Sequence, residues 1–299
     1  MKPYVYLGGH KGLLAIGAMR VVFDTRDIGM INLVSSDAVY EPDVWLALSL
    51  LLQPGATFID VGANVGILTA RALGLVQRSG KVLAFEPNAQ LFPMLRQNIV
   101  LNGGSGVAQA RQVAVYDRPG LMTFSYEVDQ HRVGALVLDG AVNYGQSVSE
   151  VEVVTLDGFI DEVPASAPLV IKIDVEGREE GVIRGAQRLL AERHDVALIM
   201  EYHRGVMTSV GTDVRQLMDL LGEAGFRPYR IDASGFAALS FDEVLEIATH
   251  INLVLSRRDL SGVRREEPPA AVTVPPPPAP APPPPAPAAG RSRSAAAGC

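Results

Sequence analysis

Cysteine is almost missing from this chain of 299 residues: Cys299 stands alone at the end, so no intramolecular disulfide framework can form. Cysteine and histidine nowhere cluster at zinc-ligand spacing, and no metal is expected. Long apolar runs are missing too. The longest, Val44-Trp-Leu-Ala-Leu-Ser-Leu-Leu-Leu52, is far too short to span a bilayer. After Lys2 the N-terminus carries Tyr, Gly and His where a secretion signal would have an apolar core and a cleavage site. Together these absences predict a cytoplasmic protein with no membrane partner. Basic residues are in deficit, with 26 Lys and Arg against 33 Asp and Glu and a net charge of -7. From Ser261 onward the chain has four arginines and two glutamates, so residues 1–260 carry -9. An acidic body repels phosphate backbones, which disfavours a nucleic-acid substrate and favours a neutral or cationic small one.

What is present is 48% hydrophobic residues in short runs, the composition of one large globular domain with additions. Val21-Val-Phe23 and Ile31-Asn-Leu-Val34 are β-prone, so residues 1–40 read as a small β-rich cap. Pro42 suits the first turn of a helix running to about Leu52, and Pro54-Gly55 stops it. Strands at Thr57–Val61 and Lys81–Phe85 alternate with helices from about Val65 and from Asn88 to Leu101, the second strained by Pro93. Residues 107 to 160 read as a third parallel strand and a hairpin-rich insertion near 121–153, which contains His131 and Arg132. Further strands are expected at Leu169–Ile173, Ala197–Met200, Phe226–Ile231 and Ile251–Leu255, with helices near Glu180–Leu190 and after a cap at Asp213. Such alternation implies an α/β fold, a mainly parallel sheet with helices on both faces, over residues 41–260. Residues 261–299 differ in kind. Twelve of the 21 prolines fall between Pro268 and Pro287, so an extended, disordered Pro/Ala-rich tail is expected, either a spacer or a ligand for a proline-recognising partner.

The most informative run is Phe58-Ile-Asp-Val-Gly-Ala-Asn-Val-Gly66, followed twenty residues after its last glycine by Glu86 in Val82-Leu-Ala-Phe-Glu-Pro87. In a doubly wound sheet, ligands bind outside the carboxyl ends of the strands, so Asp60 and Glu86 are expected in one crevice. The turn through Gly62, Asn64 and Gly66 lets a ligand lie against backbone, and an acid ending the next strand can accept both hydroxyls of a ribose. A dinucleotide fingerprint would need glycine where Asn64 and Ile67 stand, and no Gly-Lys-Ser/Thr phosphate loop occurs. Asp60 would repel a pyrophosphate yet suit an ammonium. S-adenosylmethionine, with an ammonium, a sulfonium and a ribose, matches two acids and no phosphate grip.

Asp174 follows the strand Leu169–Ile173 and should face that crevice. Lys172 shares its parity and, lying between isoleucines, needs a partner in Asp174 or Glu176. Lys172, Asp174 and Glu176 are therefore either a structural pairing network or the group that orients an acceptor. His203, beyond Glu201, is either a structural residue or a general base whose tautomer Glu201 sets. His131 is a weaker candidate for touching substrate.

Six segments also occur together in one order: Phe58 to Gly66, Ala84-Phe-Glu-Pro-Asn88, Gln97-Asn98-Ile-Val-Leu-Asn102, Ala114-Val-Tyr-Asp117, Val154-Thr-Leu-Asp157 and Ile171-Lys-Ile-Asp-Val-Glu-Gly177. With Tyr40-Glu41 before them and Glu201-Tyr-His203 after, the set resembles the FkbM family of S-adenosylmethionine-dependent methyltransferases over about residues 37 to 256. The resemblance implies a class I methyltransferase fold, Rossmann-like, with a seven-stranded sheet whose last strand is antiparallel. It also implies O-methylation of a glycan or secondary-metabolite hydroxyl. Under it, Glu41 stands near the methionyl end of the cofactor or is simply a helix-start acid. Asp117 stands where such folds recognise adenine, or else caps the Arg118-Pro-Gly120 turn. The alternatives are a non-catalytic scaffold recruiting partners through its tail, or methylation of a protein or RNA.

Overall fold

The computed structural model describes residues 2–36, 38–127, 134–138 and 147–264. His131, Arg132, part of the hairpin insertion and nearly all of the proline-rich tail therefore lie outside the described residues. Chain contacts divide the protein into residues 1–265 and 266–299, the second wholly outside them.

The chain begins with β1 (Tyr4–Gly8), β2 (Lys11–Ile16) and β3 (Met19–Asp24), an antiparallel sheet in that order. The β-prone run Ile31–Val34 is helical instead, inside α1 (Ile28–Ser35). Asp27 caps this helix by accepting from the amides of Gly29 at 2.8 Å and Met30 at 3.2 Å, and Met30, Leu33 and Val34 bury one face. A good cap and a buried stripe override β-propensity, which is a weak preference.

α2 (Pro42–Leu51) carries its proline in the first turn and buries Val44, Ala47, Leu48 and Leu51. β4 (Thr57–Val61), α3 (Ile67–Val76), β5 (Lys81–Phe85), α4 (Phe92–Leu101) and β6 (Ala108–Arg111) then alternate as expected. α4 starts later than Asn88. Asn88 turns the chain ahead of it, its side-chain oxygen accepting from Gln90 N at 2.8 Å, and Pro93 falls in the first turn, where no helical bond is lost.

Next come β7 (Ala114–Val115), β8 (Gly120–Tyr126), β9 (Gly134–Leu136) and β10 (Ser147–Val154), a separate sheet in the order β7-β10-β8-β9. Beyond β11 (Leu169–Ile173), the single helix expected near Glu180–Leu190 is two, α5 (Glu179–Arg184) and α6 (Gln187–Glu192). They break at Gly185, where an added Cβ would overlap the Tyr116 carbonyl oxygen. β12 (Val196–Tyr202), α7 (Arg204–Ser209), α8 (Val214–Glu223), β13 (Arg227–Asp232), β14 (Gly235–Ala238), α9 (Phe241–Glu246) and β15 (Ile251–Ser256) complete the described chain. Asp213 caps α8 through the Gln216 amide at 3.0 Å.

The main sheet runs β14-β13-β15-β12-β11-β4-β5-β6, with β12 to β6 parallel and β15 antiparallel to β12. It has eight strands where seven were expected. The addition, β14, pairs only with β13 in the main sheet and lacks the branched residues that mark a strand. Strand order reverses between β4 and β11, which opens a crevice at their carboxyl ends. Both strands are buried along their whole length. Ile59, Val61, Ile171 and Ile173 pack on one face, and Phe58 and Val170 on the other. Among the described residues, no helix is long and apolar enough to cross a membrane.

Candidate active site

After β4 the chain turns through three left-handed residues, Gly62 (φ 80°), Asn64 (φ 53°) and Gly66 (φ 85°). Asparagine tolerates that conformation better than most residues, so Asn64 serves where glycine might stand. Gly62 has no alternative: its Cβ would overlap the carbonyl oxygen of Asp174. The amides of Gly62 and Ala63 both donate to Phe85 O at 3.0 Å, pinning the turn to the end of β5. Glu86 follows at once. Its Oε2 accepts from Asn64 N and its Oε1 from Asn88 N, each at 2.8 Å. Burial pushes this carboxyl up to about 7, against the pull of those two amides.

A cavity of about 510 Å³ opens at the carboxyl ends of β4, β5, β11 and β12. Phe85, Val113, Val115, Phe124 and Leu136 supply its apolar wall, and Glu41, Asp174, Glu176 and Glu201 its acidic end. Of the residues chosen from sequence, Gly62, Asn64, Glu86 and Glu41 line it, as do Lys172, Asp174, Glu176 and His203.

Asp60, Gly66 and Asp117 do not. The strand runs one residue further than its carboxylate, and parity puts Asp60 with Phe58 on the α3 face. There Asp60 is fully buried, accepting from Thr69 Oγ1 at 2.5 Å, while its Oδ1 has no partner among the described residues. Gly66 precedes α3, and its Cβ would lie 2.5 Å from Leu95 Cδ1, so it serves the packing of α3 on α4. Asp117 pairs with Arg118 at 3.9 Å, outside the cavity.

Lys172 is 4% exposed and meets Asp174 Oδ2 at 2.8 Å, the pairing its position demanded. Burial opposes its charge, but Asp174, Glu41 and Asp60 together raise its pKa above lysine's ordinary value. Burial likewise pushes Asp174 up, and Lys172 outweighs it and holds the carboxyl low. Glu41, at a strained φ of 39° before α2, is raised to about 7 by burial. Glu176 is raised to about 9 by burial and then by Asp174 and Glu201, so at neutral pH it is a protonated donor. His203 caps α7, its Nδ1 accepting from Val206 N at 3.2 Å.

Several residues at the site have no sequence signal. Glu179, beneath the turn, accepts from Val175 N at 3.1 Å and Gly177 N at 3.2 Å, and burial raises it to about 8. Arg178 ties the small sheet to the turn after α7, donating to Leu136 O at 3.1 Å and Val210 O at 2.5 Å. His250 lies 2.9 Å from Glu201. No group of three or more His, Cys, Asp or Glu able to hold a metal occurs among the described residues.

The raised carboxyls set a pH dependence. Glu41, Glu86, Glu179 and Glu176 keep protons in the folded state at pH values where the unfolded chain, near 4.5, has lost them. Their contribution is complete below about pH 4.5 and is lost as pH rises through about 7 to 9. Thermal unfolding followed by calorimetry should thus give a higher Tm at about pH 5.5 than at about pH 8.5. A Tm that climbs over that interval would contradict the assignment.

A family model described as the methyltransferase FkbM domain matches residues 60–228. The 31-O-demethyl-FK506 methyltransferase FkbM of Streptomyces tacrolimicus is 28% identical over 192 residues, 53% of this chain and 73% of that protein. Methyltransferase 1 of Beauveria bassiana is 29% identical over 149 residues, 44% of this chain and 59% of that protein. Hexuronic acid methyltransferase AglP of Haloferax volcanii is 26% identical over 166 residues, 55% of this chain and 61% of that protein. The chain thus spans less than two thirds of the length of the last two. Among solved structures, a methyltransferase FkbM of Methylobacillus flagellatus KT is similar at a TM-score of 0.43 and 15% identity, covering 69% of this chain and 44% of that one.

Proposed function

This chain belongs to the FkbM methyltransferase family, and from that premise we propose that it moves a methyl group from S-adenosylmethionine to a hydroxyl of a glycan or secondary metabolite. The observation that carries the cofactor is Glu86, a carboxyl ending β5 beside an apolar wall. A carboxylate has about four lone-pair sites, and two backbone amides use only one on each oxygen. Two sites remain for ribose hydroxyls, while Phe85, Val113 and Val115 suit a purine. Among the described lining residues, Lys172 is engaged by Asp174 and Arg178 by carbonyls, so the donor set suits a sulfonium nucleoside better than a pyrophosphate.

When bound, S-adenosylmethionine supplies an electrophilic methyl carbon on a positive sulfur. In this reading Gly62 and Asn64 bring backbone against it, and Glu41 with Asp174 faces its cationic end. Gly66 and Asp60 act beneath the turn, and Asp117 has no direct part. Asp174 also borders the acceptor side, where Glu176, protonated, donates to an acceptor oxygen and so orients it. Holding the reacting atoms in line is worth roughly 7–11 kcal/mol, more than any base supplies. The relatives' names, which specify a 31-O-demethyl substrate and a hexuronic acid, support an oxygen acceptor. The small sheet reaches the cavity through Phe124 and Leu136 and helps shape the acceptor side.

Glu86→Ala tests the site. Losing two hydrogen bonds to a charged group costs about 3 kcal/mol, so calorimetry should show S-adenosylmethionine binding weakened roughly 100-fold. The circular dichroism spectrum should stay native. An unchanged Kd refutes the assignment. Incubation with labelled methyl donor and source-cell extract, followed by mass analysis, identifies the acceptor.

A further inference from the structure

Two histidines face the cavity, and they are held in opposite ways. β12 and β15 pair antiparallel with Glu201 opposite Asn252, which brings His250, one residue before β15, against the Glu201 carboxyl. His250 Nε2 lies 2.9 Å from Glu201 Oε1. An imidazole donating to a carboxylate carries its proton on that nitrogen, so the lone pair is left on Nδ1. Nδ1 makes no hydrogen bond to another described residue. His203, whose ring lies 6.0 Å away and nearly parallel, has its Nδ1 lone pair committed to the Val206 amide. Its proton is therefore on Nε2, which makes it a donor toward the cavity. Glu201 in turn stands within the field of Asp174, which Lys172 holds at 2.8 Å. A base oriented by a carboxylate that is itself held is the arrangement nucleophile activation uses.

We propose that His250, held by Glu201, is the base that takes the proton of the acceptor hydroxyl. This rests on the methyl-transfer reading above. The acceptor oxygen forms a bond to the methyl carbon as the carbon–sulfur bond breaks, the bonding pair goes to sulfur, and the hydroxyl proton goes to His250 Nδ1. The products are the methyl ether, a neutral thioether and an imidazolium paired with Glu201. The groups acting on His250 are Glu201 of β12, Asp174 after β11, Asp43 of α2 and the ring of His203. The bond to Glu201 raises the imidazole's pKa against the effect of burial, and Asp174 and Asp43 raise it further.

Nitrogen-15 NMR of the histidine-labelled protein reads the geometry directly. His250 should be the Nε2–H tautomer, titrating above free histidine, and Glu201→Gln should lower that titration. A Nδ1–H tautomer, or a titration indifferent to Glu201→Gln, overturns the proposal. Label transfer from methyl-labelled S-adenosylmethionine into source-cell extract reads the chemistry. His250→Gln should transfer about 10²- to 10⁴-fold more slowly with an unchanged S-adenosylmethionine Kd, and Glu201→Gln should shift the acid limb of the pH–rate profile to lower pH. Wild-type protein that labels nothing sinks the methyl-transfer reading and this proposal together. Wild-type and His250→Gln proteins that label equally fast sink this proposal alone.

Discussion

Gly62→Ala should cost about 3 kcal/mol or more, among the largest losses a single methyl group can cause here. Two effects combine. At φ 80° any side chain strains the backbone, and the new Cβ would also overlap the Asp174 carbonyl oxygen and stand 3.1 Å from its carbonyl carbon. That neighbour is main chain at the end of a fully buried strand, so it cannot rotate aside. Either the turn moves off Phe85 O, taking Asn64 away from Glu86, or β11 shifts at its tip. Gly103→Ala is the matched control, with φ 74° and nothing within 4 Å. It should pay only the backbone strain of about 1 kcal/mol. Calorimetry should put the Gly62→Ala Tm roughly 6–12 °C below wild type, and the control only a few degrees below. S-adenosylmethionine affinity should fall with the first and hold with the second. If both variants melt together, the overlap has no weight.

Lys172→Met should be comparably damaging, about 3–5 kcal/mol, because a buried ion pair broken on one side leaves its partner uncompensated. Lys172 lies opposite Asp60 in register and bonds Asp174, so its removal leaves two carboxylates facing a neutral thioether. The sign with pH follows. Without the ammonium, Asp174 loses what held its pKa down, and burial raises it above its unfolded value. The folded variant then binds protons the unfolded chain has released, so its stability deficit widens as pH rises above about 4. Denaturant unfolding of both proteins at several pH values measures that widening. Adding Asp174→Asn to the variant should recover part of the loss, since one stranded charge is removed. A deficit independent of pH, or none, would mean that the ion pair contributes nothing net.

Much of the fold can be read along the chain because its causes are local. Pro42 opens α2, Asp213 caps α8, and Pro93 delays α4 until it falls in a first turn. Period-two parity told that Lys172 needed a partner, and Asp174 is that partner. Parity also explains one failure. Asp60 was expected in the crevice because its strand ends there, but alternation along Thr57–Val61 puts its carboxyl with Phe58 on the face that α3 covers. α1 was misread because three apolar positions suited both periods, and Asp27's cap decided between them. The break at Gly185 comes from Tyr116, nearly seventy residues earlier, and no window around Gly185 contains it.

Two halves of the site therefore have different origins. The glycine turn, the acid ending β5 and the Lys172–Asp174 pair were written in residues a few positions apart, where backbone sterics, capping and strand parity act. The meeting of His250 with Glu201, the commitment of His203 to α7 and the burial that lifts Glu86 and Glu176 were decided only in the folded chain. Strand insertion between distant segments and the removal of water act over the whole sheet, so a linear pattern records neither.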